Sequence, residues 1–205
     1  MQKSIIYDLE TILLRPPKDK PKDPTLKYCG GWTDYLNMGI SIITVYISSG
    51  FNSFPEGIKT FINKDDSIPY NFPEFQNLLA EKPIILGFNS QRFDDKVAQA
   101  NNIDITTNYD IYAEIRKAVG GTGTYALQNL AAANGLSKGD GFVTPLWWQV
   151  GRQDEVVAYG RQEMETLVEI LGLGLRGRLK NPNNGHLINL PPTNLDMTYY
   201  RQLST

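Results

Sequence analysis

The feature that most restricts how this chain can fold is its first apolar run. Ser4, Ile5, Ile6 and Tyr7 form a short, isoleucine-rich stretch that leads directly into Asp8, Leu9, Glu10 and Thr11. A short unbroken apolar run reads as a strand covered on both faces. The run therefore predicts a buried strand with acidic residues at its carboxyl end. Side chains alternate along a strand, so Asp8 and Glu10, two residues apart, point the same way. Two carboxylates on one face are hard oxygen donors of the kind a divalent cation takes. Alone, the same pair also describes ordinary surface decoration.

The following pattern adds strands and then alternates them with helices. Residues 39–48 (GISIITVYIS) and 58–63 (IKTFIN) read as strands, with Gly50, Asn52, Ser53, Pro55 and Gly57 marking the connection. Together with the first strand they predict an antiparallel meander. Residues 72–81 carry helical spacing through Phe75, Leu78 and Leu79, and residues 83–88 (PIILGF) read as another buried strand. Short helices are predicted over 92–101 and 113–119, around a strand at 108–112, with a further helix at 125–133 ended by Gly135. The spacing of Val156, Val157, Leu167, Val168, Ile170 and Leu171 predicts a long helix over 153–175. Asp154 and Glu155 suit its start, and Arg176 and Arg178 its end.

A chain of 205 residues, 41% hydrophobic and 11% aromatic, can bury a sizeable core. We expect one domain over residues 1–180 and an extension over 181–205, rich in Asn, Gly and Pro, either packed on the domain as a flap or hairpin or partly disordered. Twenty basic against 22 acidic side chains leave a formal net charge of −2, so any nucleic-acid surface must be local. Residues 15–27 (RPPKDKPKDPTLK) hold four prolines, five basic residues and two acids, which predicts a mobile, locally positive loop: a flap over phosphates or a solvated insertion. The single Cys29 and the lack of a secretory pattern predict a reducing, cytoplasmic setting. No apolar stretch reaches the length of about 18 residues that suggests a membrane span, and no membrane partner is expected.

Two further segments carry acids in a structural context. Gly87-Phe88-Asn89-Ser90-Gln91-Arg92-Phe93-Asp94 follows a predicted strand and enters a helix, so Asp94 emerges at a helix start, as either a cap or a ligand. On the long helix, Tyr159 and Glu163 are four residues apart and share a face, with Thr166 a turn further on.

The order of the three segments resembles the DEDD superfamily of 3'-to-5' exonucleases, over roughly residues 4–172. Asp8, Glu10 and Thr11 match its first motif, a strand ending Asp-x-Glu-Thr. Asn89, Phe93 and Asp94 match the second, Asn, three residues, Phe or Tyr, then Asp. Tyr159 matches the third in the tyrosine subclass, Tyr-x-x-x-Asp, where Glu163 stands in place of the Asp. The run Tyr125 to Ala131, Lys138-Gly139-Asp140-Gly141, Trp147-Trp148 and Gly151-Arg152 is similar to the stand-alone or helicase-associated members. The histidine subclass does not fit, because Ala158 occupies the place of its His; the one histidine, His186, is expected in a structural or surface role.

The resemblance implies an α/β, ribonuclease-H-like (DnaQ-like exonuclease) fold, a mixed β-sheet flanked by helices. It implies metal-dependent 3'-to-5' hydrolysis of phosphodiester bonds at single-stranded ends, DNA favoured over RNA, with two Mg2+ or Mn2+ ions. Asp8, Glu10, Asp94 and Glu163 would hold the ions, Asp8 bridging them and Asp94 acting through water, while Tyr159 orients or helps deprotonate the attacking water. Thr11, Asn89, Arg92 and Phe93 would contact substrate. Phe93, Trp147 and Trp148 are stacking candidates, with core packing expected for Phe93 and at least one tryptophan; Lys18, Lys20, Lys22 and Arg92 could form a positive track. A polymerase, helicase or other replication or repair protein is the implied class of partner. Glu163 is one methylene longer than the Asp it replaces, which leaves open a weakened nucleic-acid-binding or interaction module of the same fold.

Overall fold

The computed structural model of the protein describes residues 3–19, 21–48, 57–63, 72–120 and 123–191. Its centre is a mixed sheet of five strands in the order β3-β2-β1-β4-β5. Strand β1 (Ser4–Thr11) pairs antiparallel with β2 (Ile40–Ser48), which pairs antiparallel with β3 (Gly57–Ile62). On the other side β1 pairs parallel with β4 (Ile84–Gly87), and β4 with the two-residue β5 (Tyr109–Asp110). Helices flank the sheet, and the protein is an α/β fold with mixed strand directions.

Alternation along β1 divides the core into two layers. Ile5, Tyr7 and Leu9 face one layer, with Phe75 of α2 (Pro73–Ala80) and Val97 of α3 (Asp94–Ala100). Ile6 faces the other, with Met164 and Leu167 of the long helix, which is α7 in chain order (Gln153–Leu175). Asp8 and Glu10 continue the Ile6 series, so they point toward α7. The second layer also takes in α4 (Ile111–Val119), α5 (Leu127–Ala133) and a small hairpin of β6 (Leu179–Lys180) and β7 (Leu187–Ile188).

Several expectations need adjustment. The first strand does not stop at the acids but runs through them to Thr11, because β2 supplies a backbone partner along its whole length. The strand expected over 108–112 shrinks to two residues, since Asp110 caps α4 by accepting the Ala113 N–H (3.2 Å). Two short helices went unanticipated, α1 (Tyr35–Met38) and α6 (Thr144–Gln149). The β6–β7 hairpin spans residues 179–188 and so begins before the extension expected from residue 181, while residues 192–205 lie outside the described residues, as do residues 49–56 of the β2–β3 connection.

The described residues of segment 15–27 form no helix or strand, yet the neck of the segment is closed. The Leu14 N–H donates to the Lys27 carbonyl (3.2 Å) and the Cys29 N–H to the Leu14 carbonyl (2.9 Å). Gln149 of α6 then clamps the neck from the side: its amide nitrogen donates to the carbonyls of Ile12 and Lys27 (both 3.0 Å), and its oxygen accepts the Lys27 N–H (2.7 Å). Among the described residues, no helix is long and apolar enough to cross a membrane.

Candidate metal centre

Strand β1 and helix α7 bring the acids together. Asp8 lies opposite Thr44 and Glu10 opposite Ile42 on β2, and the register shifts between Glu10 and Thr11. Such a bulge twists a strand locally and re-aims its side chains. Helix α7 crosses this region at Gly160, where a Cβ would lie 2.7 Å from both Ile42 Cδ1 and Thr44 Oγ1. Only a residue without a side chain lets the helix come so near the strand that pairs with the acids. The flanking Tyr159 and, one turn on, Glu163 thereby reach over Asp8 and Glu10. Oxygens of Asp8, Glu10 and Glu163 all lie within 4.8 Å of one another.

The electrostatics of the cluster are unfavourable without a cation. Burial first, then the charges of Glu163, Asp94 and Glu10, hold the Asp8 carboxyl well above the usual carboxylate range. Glu10 is raised too, by burial and Glu163, against the opposing hydrogen bond from Thr144 Oγ1 (2.5 Å). Burial pushes Asp94 up to about 8, with Glu163 and Asp95 adding to the shift and backbone N–H groups of Asp94 and Leu9 opposing it. Mutually repelling, buried carboxylates are what a divalent cation relieves, and an all-oxygen donor set suits a hard ion. The trio Asp8, Glu10 and Glu163 can hold a metal ion. Asp94 is not one of that close trio, although its charge acts on Asp8.

One cation of the chain already reaches the cluster. Lys138 Nζ donates to Tyr159 Oη (2.6 Å) and to Glu163 Oε2 (3.0 Å), with both charged side chains only 12% exposed. Its loop is tied down because Thr166 Oγ1 donates to the Ser137 carbonyl (3.1 Å). It then wraps the Tyr159 ring so closely that a Cβ at Gly141 would lie 2.8 Å from Tyr159 Oη. Trp147 packs edge-on to the same ring, the centroids 6.4 Å apart. Burial above all, then Glu163, raises the Tyr159 phenol and keeps it protonated.

The loop bearing Asp94 is fixed from below. Asp95, 3% exposed, accepts hydrogen bonds from Tyr7 Oη, the Thr107 N–H (3.0 Å) and Thr107 Oγ1 (2.8 Å), and Ser90 Oγ shares a bond with Thr107 Oγ1 (2.8 Å). Asp110 accepts the N–H groups of Asn89 (2.9 Å) and Gln91 (3.2 Å), holding Asn89 at φ +58°. Neighbouring aspartates thus divide their work: Asp94 turns to the acid cluster and Asp95 to the interior.

The remaining sequence candidates are distributed as follows. Thr11 is buried just past the bulge, Asn89 is half-buried and Arg92 is exposed. Phe93 packs against the first core layer and edge-on to Tyr35. Trp148 is buried beside Ile42, as expected of at least one tryptophan, and His186 is exposed in the β6–β7 turn. Lys18 and Lys22 are exposed, Lys22 against the Tyr28 ring, and Lys20 lies outside the described residues. No sequence pattern assigns a role to Lys138, Thr144, Asp95 or Tyr7, whose partners are far along the chain. Comparison with family models, with characterised proteins and with solved structures finds no match.

Proposed function

We propose that the protein is a metal-dependent 3'-to-5' exonuclease acting on single-stranded ends, DNA favoured over RNA. The observation that carries this reading is the convergence of Asp8, Glu10 and Glu163 within 4.8 Å, beside the charge of Asp94 and beneath the Tyr159 hydroxyl. The strand order β3-β2-β1-β4-β5, with β2 antiparallel to its neighbour β1, supports a ribonuclease-H-like fold.

Two divalent ions, Mg2+ or Mn2+, would supply an activated water and balance charge on the leaving oxygen. Asp8, Glu10 and Glu163 would hold them, with Asp94 completing the donor set. Tyr159, whose phenol burial above all holds above its ordinary range, would donate a hydrogen bond to the attacking water and orient it. The Lys138 ammonium, bonded to Tyr159 and Glu163, keeps that pair in register and adds positive charge where phosphate arrives. The longer Glu163 suits the cluster, because its carboxylate reaches both Lys138 and the Asp8–Glu10 pair.

The test is an end-labelled single-stranded oligonucleotide incubated with Mg2+ or Mn2+. Stepwise shortening from the 3' end is expected, lost in Asp8→Ala and reduced in Glu163→Asp. No release by the wild type rejects the reading, and a gain in Glu163→Asp shows that Glu163 attenuates the site. The ammonium of Lys138 inside the cluster favours a second reading, a nucleic-acid-binding or interaction module that uses the lysine instead of a metal. Calorimetric titration with Mn2+ separates the two, since end binding without metal binding belongs to the module.

A further inference from the structure

Beside the acid cluster, segments far apart in sequence assemble an arginine and several rings. The Arg15 guanidinium carbon lies 3.8 Å from the Trp32 ring centroid, 4.8 Å from that of Phe142 and 5.6 Å from that of Phe93. Trp32 and Phe142 meet edge-on at 6.3 Å. Both are solvent-facing, 54% and 60% exposed. Among the described residues, no carboxylate lies within ion-pair distance of Arg15. The guanidinium is partly buried and held over rings, not in a direct ion pair with a described carboxylate.

Exposed large rings gathered from separate loops around a cation are not explained by packing, and such patches mark binding surfaces. The chemistry is specific: ring faces take unpaired bases, and a guanidinium takes phosphate while stacking on an aromatic face. The root of the arginine is rigid, because it follows Leu14 in the neck held by Lys27, Cys29 and Gln149. Its place on the molecule fits as well. Phe93, the third ring, directly precedes Asp94, and the Glu10 carboxylate is near enough to act on the guanidinium.

We propose that Arg15, Trp32 and Phe142 form a binding site for unpaired nucleotides of a single strand, holding the strand beside the bond to be cut. The choice of ligand rests on the nuclease reading above. Stacking requires bases released from a duplex, so this site would also confer the preference for single strands.

The experiment is fluorescence anisotropy of a 5'-labelled thymidine oligonucleotide, a dozen nucleotides long, in EDTA so that binding is read without cleavage. Trp32→Ala should weaken binding by about tenfold or more and Trp32→Phe by much less. Arg15→Ala should weaken it and reduce the dependence of log Kd on log salt by about one. Oligonucleotide binding unchanged in Trp32→Ala and Arg15→Ala overturns the proposal, assigns the surface to a protein partner and leaves the nuclease reading untouched. Failure of the wild type to bind the strand also overturns it. Weakened binding in the variants, with no Mn2+-dependent cleavage by the wild type, upholds the proposal while removing the nuclease reading.

Discussion

The hydroxyl of Tyr7 donates a hydrogen bond to the carboxylate of Asp95, and this contact joins the chain neighbours of Asp8 and Asp94. Two acids from distant segments are thus registered by a bond beneath them. In Tyr7→Phe, Asp95 keeps both donors from Thr107, so unfolding in urea should show a loss of about 1–2 kcal/mol. Asp95→Ala strands three buried donors and should lose more than Tyr7→Phe does. A Tyr7→Phe protein as stable as the wild type would show that the bond does not hold the two segments.

The acid cluster should trade stability for binding. Asp8→Asn removes one of several mutually repelling charges, so the metal-free variant should melt above the metal-free wild type. Adding Mn2+ should raise the melting temperature of the wild type and leave the variant nearly unchanged, with Mn2+ affinity in calorimetry lower by at least about a hundredfold. Equal Mn2+ stabilisation of both proteins would place the ion elsewhere.

The same repulsion sets a pH dependence. Asp94 titrates at about 8 in the folded chain, and Asp8 and Glu10 are raised in the same direction. Unfolded, these groups titrate in the ordinary carboxylate range near ~4. Between those limits the folded chain binds more protons than the unfolded one, so this cluster's contribution to stability falls as pH rises. Metal-free protein should therefore lose melting temperature from pH 5 to pH 8.5, and the increment from Mn2+ should be larger at the higher pH, where protons no longer compete. An increment larger at pH 5 would contradict metal binding by these acids.

Gly160 is the point on which the helix side of the site depends. Gly160→Ala places a methyl group 2.7 Å from Ile42 Cδ1 and Thr44 Oγ1, so those buried side chains, the helix or β2 must shift. Overpacking of this kind costs about 1–3 kcal/mol. Because Tyr159 and Glu163 move with the helix, Mn2+ affinity should fall together with stability. Retained affinity in the destabilised variant would mean that β2 or its Ile42 and Thr44 side chains, not α7, yield.

The legible parts of the fold were those with long or strongly patterned segments. Helix α7 occupies the span its spacing predicts, since 23 residues give the apolar period room to repeat. Helix α6 escaped notice because its six residues complete fewer than two turns, and its tryptophans read equally well as loop or core. Within the site, Asp8 and Glu10 were visible through strand alternation, and Tyr159 and Glu163 through helical spacing. Lys138 is visible only as part of the Lys138–Gly141 run and its role is not, because it sits in a glycine-rich loop and its partners lie 21 and 25 residues away. Neither could the sequence say which of the adjacent Asp94 and Asp95 turns inward, because that depends on the distant hydroxyls of Tyr7 and Thr107.

The clamp by Gln149 makes the segment between Leu14 and Tyr28 a graft point. Both rims are held by the same side chain, so the ends keep their separation whatever lies between them. Lengthening such a loop is cheap, about 0.6 kcal/mol for each doubling. Descendants of this chain could exchange the whole segment, and with it whatever the segment touches, without disturbing the register of the strand that carries Asp8 and Glu10.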